Sequence, residues 1–310
     1  MKKFINRYRL LLATLLAVSA LASCEKIIDI SIPAKERKLV VNGLISSDRP
    51  VMINLSRSLS VLEKDSLIAI SGADVNLFHG TGLIGKLEEK TQGNYSLPDF
   101  MPEVGQTYRL TASYDGLKPV EASATLPPVV PFVSVDTATL TGEWGQQELR
   151  LSIKFNDPAG VHNIYGFGVD VTVKEIDYNT RVYTGRKVTH PAYLYSDNSG
   201  PLVNDESINF EGKLYFGDLL FDGMTKTIEF GVSDYLFYDS DTVWLDVRME
   251  QIDPTYYLYV QSYNAYQDAN GNPFSEPVQV YTNVKDGFGI FAGSSSARFS
   301  IIKRGLRKFW

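Results

Sequence analysis

Cysteine is almost missing from this chain: its 310 residues include one, Cys24. That excludes an intramolecular disulfide and any zinc site built from paired cysteines. Histidine is nearly as scarce. His79, His162 and His190 stand far apart, with no HExxH or His-x-His spacing, and read as ordinary turn or strand-end residues. The G-x-S-x-G elbow of a serine hydrolase is absent too. Gly293-Ser294-Ser295-Ser296 lacks the strand-turn-helix setting that such a nucleophile needs. Basic charge is in deficit, with 30 Lys+Arg against 36 Asp+Glu, and four of the basic residues fall within the first 23 positions. The remainder holds 26 basic and 36 acidic residues, a net charge of −10. Nucleic acid, whose phosphates demand a basic patch, is therefore excluded as a partner. Attachment to an anionic membrane by charge alone is excluded with it.

What is present starts with the surroundings of Cys24. Lys2, Lys3, Arg7 and Arg9 make a basic start, an apolar run follows from Leu10 to Ala22, and Leu21-Ala22-Ser23-Cys24 closes it. This is the layout of a secretory signal peptide with small residues at the cut. The run is shorter than the roughly 20 residues that span a bilayer. The tetrapeptide also matches the lipobox, in which the cysteine is acylated before cleavage. Residues 1–23 are thus expected to be a lipoprotein signal peptide, and the membrane is expected to hold the mature chain through lipid on Cys24. One acyl chain binds marginally, whereas two or three hold firmly. Residues 24–37 read as a lipid tether, reaching at most roughly 40 Å at about 3.3 Å per residue.

From Lys38 the pattern is that of short strands. Val51, Ile53 and Leu55 alternate with polar residues, as do Ala73, Val75 and Leu77. Tyr108, Leu110, Ala112 and Tyr114 alternate up to Asp115-Gly116, and Val120, Ala122, Ala124 and Leu126 alternate after it, the strongest short-range signal for a hairpin. These strands predict an antiparallel sandwich over residues 38–127, closed by Pro127-Pro128 and Pro131 as a stiff linker. Residues 128–310 predict a second β-rich domain. Leu149 to Phe155, Tyr165 to Val173 and Val243 to Met249 alternate in it, residues 175–212 read as a polar excursion, and two or three strands close the chain. Asp253-Pro254 opens the one convincing helix, an N-cap followed by a first-turn proline, and Asn270-Gly271 ends it after about residue 268. The fold class expected is mainly β: two antiparallel sandwich modules with one helix inserted in the second.

The stretch from Cys24 to Ser46, IKFNDPAGVHNIYGF (153–167) and NPFSEPVQVYTNVKDGFGIFAG (272–293) together resemble the Bacteroidetes lipoprotein family designated domain of unknown function 4249. The resemblance covers essentially all of the mature chain. It implies a lipid-anchored outer-membrane protein, often encoded beside a TonB-dependent transporter, with an immunoglobulin-like or carboxypeptidase-regulatory-like sandwich in its N-terminal half. Immunoglobulin-like or fibronectin III-like modules are the sandwich type expected. The family has no established catalytic residues, and no cofactor is expected. Glu25 and Lys26 run straight into Ile27-Ile28, without the dense acidic cluster common in surface-exported members. The cell-surface face of the outer membrane is the expected one, with the periplasmic face as the alternative.

Four tyrosines of the predicted helix, Tyr256, Tyr259, Tyr263 and Tyr266, recur at helical spacing and fall in one stripe. Such a stripe either packs the helix on the sandwich or forms a platform for sugars or a partner protein. Tyr257 lies off that face, and Phe288 sits among glycines that free its backbone. These six are the candidate partner-binding residues. Gly287 to Gly293 reads as a glycine-rich turn where two elements pack closely. Asp157, Asp197, Asn198, Asn204, Asp205, Asp239 and Asp241 have the oxygen chemistry of calcium ligands, but Asp and Asn are also the default turn residues, and no metal site is expected.

Together these readings favour a non-enzymatic accessory to a TonB-dependent transporter, capturing ligand or shaping its entrance. The alternative is a structural or envelope-assembly lipoprotein without a small-molecule ligand; a hydrolase would need a convergent titratable set that the motifs do not supply. Lipid on Cys24 is directly testable. Wild-type protein should partition into detergent with a mass increase on Cys24, and Cys24→Ser should stay uncleaved or become soluble; an unmodified Cys24 in the mature membrane-bound protein would remove the anchor.

Overall fold

Alternating apolar and polar residues make most of this chain β-strand, and the computed structural model describes residues 36–304 apart from 61–62, 64–66, 142–146, 178, 181, 196–207, 234–241 and 273. Cys24 lies outside the described residues. The first strands are β1 (Leu39–Ser46), β2 (Val51–Arg57), β3 (Ile68–Ala69), β4 (Asp74–His79), β5 (Gly82–Lys86), β6 (Glu88–Thr91) and β7 (Asn94–Leu97). Next come β8 (Thr107–Ser113), β9 (Val120–Thr125), β10 (Phe132–Thr141), β11 (Gln147–Asn156), β12 (Ile164–Ile176) and β13 (Tyr183–Pro191). Then follow β14 (Tyr193–Tyr195), β15 (Ile208–Phe210), β16 (Lys213–Gly217), β17 (Thr225–Ser233), β18 (Thr242–Ile252), helix α1 (Pro254–Ala269) and β19 (Phe288–Arg304).

Eleven strands join in one sheet, ordered β15-β16-β12-β18-β19-β1-β2-β7-β6, with β13 also on β12 and β3 on β2. Two four-stranded sheets, β10-β11-β17-β14 and β5-β4-β8-β9, hold the remaining strands of the described residues. Side chains of a strand alternate between its faces. Phe291 and Ile301 of β19 therefore share a face, and each enters a different core. Phe291 packs with Val41, Leu55, Val75 and Leu110, between the large sheet and the β4 sheet. Ile301 packs with Val169, Leu245, Leu151 and Phe230, between the same large sheet and the β11 sheet. Helix α1 lies on the opposite face, where Tyr256 and Val260 bury against Ile290, Ala292, Ile164 and Tyr215. Asp253 caps the helix, its carboxylate accepting from Thr255 N at 2.9 Å, and Pro254 follows in the first turn. Among the described residues no helix is long and apolar enough to cross a membrane.

The mainly β class expected from the sequence is the class observed, with sheets stacked in sandwich fashion. Three details differ. In place of two or three closing strands there is, among the described residues, one of 17 residues, β19. Its glycines form no turn but let backbones approach closely: a Cβ on Gly289 would lie 2.0 Å from the Val41 carbonyl oxygen, and one on Gly293 2.1 Å from that of Thr125. Residues 175–212 contain β13, β14 and β15 as well as polar connections. The strand β13 is exposed on both faces, so no alternation marks it. Lastly, one pair in the large sheet is parallel, β1 on β19, with Val40 opposite Phe288 and Ser46 opposite Ser294. Strands so far apart in sequence need no hairpin, which frees their relative direction.

The boundary expected at 127/128 falls between β9 and β10, but the large sheet runs across it through β19, and Arg37–Trp310 forms one compact unit. The proline segment is held to that sheet by Val130 N, which donates to Gln251 Oε1 at 2.8 Å, and the end of β9 is tied to the helix cap, Thr125 N donating to Asp253 Oδ2 at 3.0 Å. Phe291→Ala should therefore cost about 3–5 kcal/mol by opening a cavity in a fully buried site and lower a single melting transition. Calorimetry that resolves two transitions, with only one of them shifted, would show that the two cores unfold independently.

Candidate functional site

Three of the four stripe tyrosines come together as a ladder of rings along α1. Tyr256 sits edge-on against Tyr215 at 6.1 Å between centroids. It stacks on Tyr259 at 6.2 Å, and Tyr259 on Tyr263 at 6.0 Å. Phe210 of β15 meets Tyr263 edge-on at 5.7 Å. The ladder climbs from core to solvent: Tyr256 is buried, Tyr259 and Tyr263 are half-buried, and Tyr266 is exposed. Burial, reinforced by the Glu211 carboxylate, pushes the Tyr256 hydroxyl above the ordinary phenol range. Burial does the same at Tyr259, with Tyr263 and Glu211 adding to it. The stripe thus both packs the helix and leaves rings open. Tyr257 packs half-buried against the same helix-side cluster. Phe288 stands 40% exposed at the start of β19, with the Lys38 ammonium 5.1 Å from its ring centroid, a cation–π contact.

Beside the ladder lies a groove of about 440 Å³. Asn42 and Leu44 of β1, Met52 and Asn54 of β2, Asn94 of β7 and Ile290 of β19 line it from the sheet. Tyr256 and Tyr259 line it from the helix, Phe210 and Glu211 from the β15–β16 hairpin, and Arg49 from the β1–β2 connection. Glu211 (φ 49°) and Gly212 (φ 74°) make the two-residue turn with left-handed backbone that a tight hairpin needs. Lys213 fixes that hairpin to β18, its ammonium 2.8 and 2.9 Å from the two oxygens of the buried Glu250 carboxylate. Asn42, Asn54, Asn94, Phe210, Glu211 and Arg49 escape a reading of the sequence, because they converge from three separated segments: the β1–β2 hairpin, β7 and the β15–β16 hairpin. The signal available was asparagine within strand patterns, against its usual depletion there.

A second cluster ties two loops together. Asp157, Asp218 and Asp222 each place a carboxylate oxygen within 4.8 Å of the others, and could hold a cation. Each also has protein donors. Asp157 accepts from the Tyr165 hydroxyl and from Gly223 N at 2.8 Å. Asp218 accepts from Asn163 N at 2.7 Å and lies 2.7 Å from His162 Nδ1, and Asp222 accepts from Gly160 N at 2.8 Å. The conformation of the 157–163 and 218–224 loops is locked by these bonds. Burial raises the Asp157 carboxyl above its ordinary value of 3.8, opposed by its two donors and reinforced by Asp218 and Asp222. Asp157 was among the oxygen candidates of the sequence; Asp197, Asn198, Asn204, Asp205, Asp239 and Asp241 lie outside the described residues. Of the histidines, His79 is 3.0 Å from Gln106 Oε1 and His190 lies on β13, so the three remain separate.

Fold and groove define a mainly β protein with stacked sheets and a helix-walled cleft on the outer face of the largest. The chain belongs to the family described as Domain of unknown function (DUF4249), whose model matches residues 25–300. A search of curated proteins finds no match to it.

The acidic lock predicts a pH dependence. With the folded Asp157 carboxyl raised above its unfolded value, its contribution to stability is fully present below 3.8 and is lost as pH rises through the folded value. Asp157→Asn should abolish that loss while keeping partners for Tyr165 and Gly223, so its melting temperature should equal or exceed wild type near neutrality. Asp157→Ala should cost about 1–3 kcal/mol by leaving a buried hydroxyl and an N–H unpaired. Melting curves from acid to neutral pH decide the sign.

Proposed function

We propose that this chain is a non-enzymatic lipoprotein, anchored in the outer membrane through lipid on Cys24, that assists a TonB-dependent transporter by capturing ligand or shaping its entrance. The observation that carries this reading is the groove between α1 and the large sheet. Rings, aliphatic groups and side-chain amides dominate its walls, the mixture typical of binding clefts, in which a few polar groups orient a ligand against apolar surface. The match to the family begins at residue 25, directly after the cysteine expected to carry lipid, in keeping with a body that follows an anchor. Open aromatic rings at Tyr266 and Phe288 suit a protein contact, where tyrosine and other aromatics are enriched.

Affinity purification of the lipidated protein from detergent-solubilised membranes, with mass spectrometry of what accompanies it, tests the partnership. A transporter barrel should co-purify, and Tyr266→Ala combined with Phe288→Ala should reduce its recovery while leaving the melting temperature within a few degrees. Purification without any barrel, under conditions that retain the lipid anchor, would overturn the accessory role.

A further inference from the structure

We infer that the groove beside α1 binds a neutral oligosaccharide, lying across strands β1, β2 and β7 with its rings against Tyr259 and Phe210. This deepens the ligand-capture half of the proposed function and is independent of the transporter. The argument begins with register. Asn42 of β1 is directly opposite Asn54 of β2, and Asn54 is opposite Asn94 of β7. Three carboxamides thus form one row across three adjacent strands, all of them lining the groove. Neighbouring strands are about 4.8 Å apart, so the row presents amides at that interval over roughly 10 Å.

Asparagine is disfavoured in strands, and three in one row contribute little to sheet stability. Part of their hydrogen-bonding capacity is used internally: Asn54 Nδ2 donates to Asn94 Oδ1 at 3.0 Å, and Asn94 Nδ2 to Thr91 Oγ1 at 2.9 Å. That chain fixes the orientation of two amides and leaves the Asn54 carbonyl available. Asn42 is exposed, offering two N–H donors and a carbonyl acceptor to whatever lies in the groove. Paired donors and acceptors on one flat group are what vicinal hydroxyls require.

The interval of the row selects among ligands. An extended peptide presents groups to one side every second residue, roughly 6.7 Å apart, and falls out of step with it. Each ring of an extended pyranose chain carries hydroxyls on both of its edges, so even where successive rings alternate in orientation every ring offers hydroxyls to the row, at close to the strand spacing. The wall completes the fit. Tyr259 is half-buried, braced on both sides by Tyr256 and Tyr263, and therefore offers a rigid ring edge and hydroxyl at little conformational cost. One carboxylate, Glu211, and one guanidinium, Arg49, balance each other in charge, which disfavours a polyanion.

The test uses the full-length protein in detergent and soluble hexasaccharides of glucose, xylose, mannose and N-acetylglucosamine, titrated by calorimetry, with a hexaalanine-based neutral peptide as comparison. At least one hexasaccharide should bind below about 1 mM. Asn42→Ala should weaken it about tenfold, the loss expected for one or two neutral hydrogen bonds, without lowering the melting temperature. Tyr259→Phe should weaken it less, and Tyr259→Ala at least as much as Asn42→Ala. Absence of binding by every saccharide overturns the inference. So does saccharide binding that Asn42→Ala leaves unchanged, or binding of the peptide in preference. Saccharide binding without a co-purifying barrel would remove the transporter reading and leave this one standing.

Discussion

Phe291 sits in a core built, apart from Val284, by residues 39–126, while Ile301 on the same strand faces a core built by residues from Val130 onward. Everything else hangs on that shared strand. Its close approach to β1 depends on Gly289, whose φ of 94° and missing Cβ let the backbone pass against Val41. A side chain there would part β1 from β19, divide the large sheet and expose Phe291. The parallel register of β1 on β19 also aligns Asn42 with Ile290, so the same contact that joins the two cores sets the groove floor beside the helix.

The groove follows from the way the large sheet is covered. One face is occupied by two smaller sheets, and the other has α1 over β19 and the β15–β16 hairpin beyond it. One helix cannot cover eleven strands. The part it leaves open on β1, β2 and β7 sets an asparagine row beside Leu44 and Met52, and it becomes a cleft because the tyrosine ladder and the Glu211-Gly212 turn rise beside it. The Lys213–Glu250 pair keeps that turn in place. Removing either partner would strand a charge at a partly buried position, which costs far more than the pair contributes by its presence.

Local chemistry made part of this legible. Asp115-Gly116 marked the β8–β9 hairpin, and Asp253-Pro254 marked the start of α1, because capping and turn geometry act within a few residues. Strands with one buried face, such as β8 and β18, declared themselves by alternation. The strand β13 did not, since both of its faces are exposed. Nor did the sharing of β19, because a parallel pairing across some 250 positions leaves no periodic trace. The tyrosine spacing placed four rings on one stripe but could not say how far the covering elements reach. The structure does: cover ends between Tyr256 and Tyr266. The asparagine row was invisible in part for the same reason as β19, since the register that brings Asn94 of β7 beside Asn54 of β2 joins strands 40 positions apart.

The two polar clusters are the ends of one short strand. The strand β16 runs from the Glu211-Gly212 turn at the groove to Asp218 in the acidic lock, five residues and about 17 Å. It is bonded to β15 on one side and β12 on the other, with Tyr215 buried beneath α1. At its far end Asp218 is held by Asn163 N and His162. The strand therefore cannot slide or tilt without breaking the lock or displacing Tyr215 from Tyr256. This explains why a loop far from the groove carries so many buried hydrogen bonds: it fixes the strand that carries one of the groove's walls. For a ligand recognised mainly by neutral hydrogen bonds, each worth little on its own, a wall already in place removes an ordering cost that the ligand could not otherwise offset.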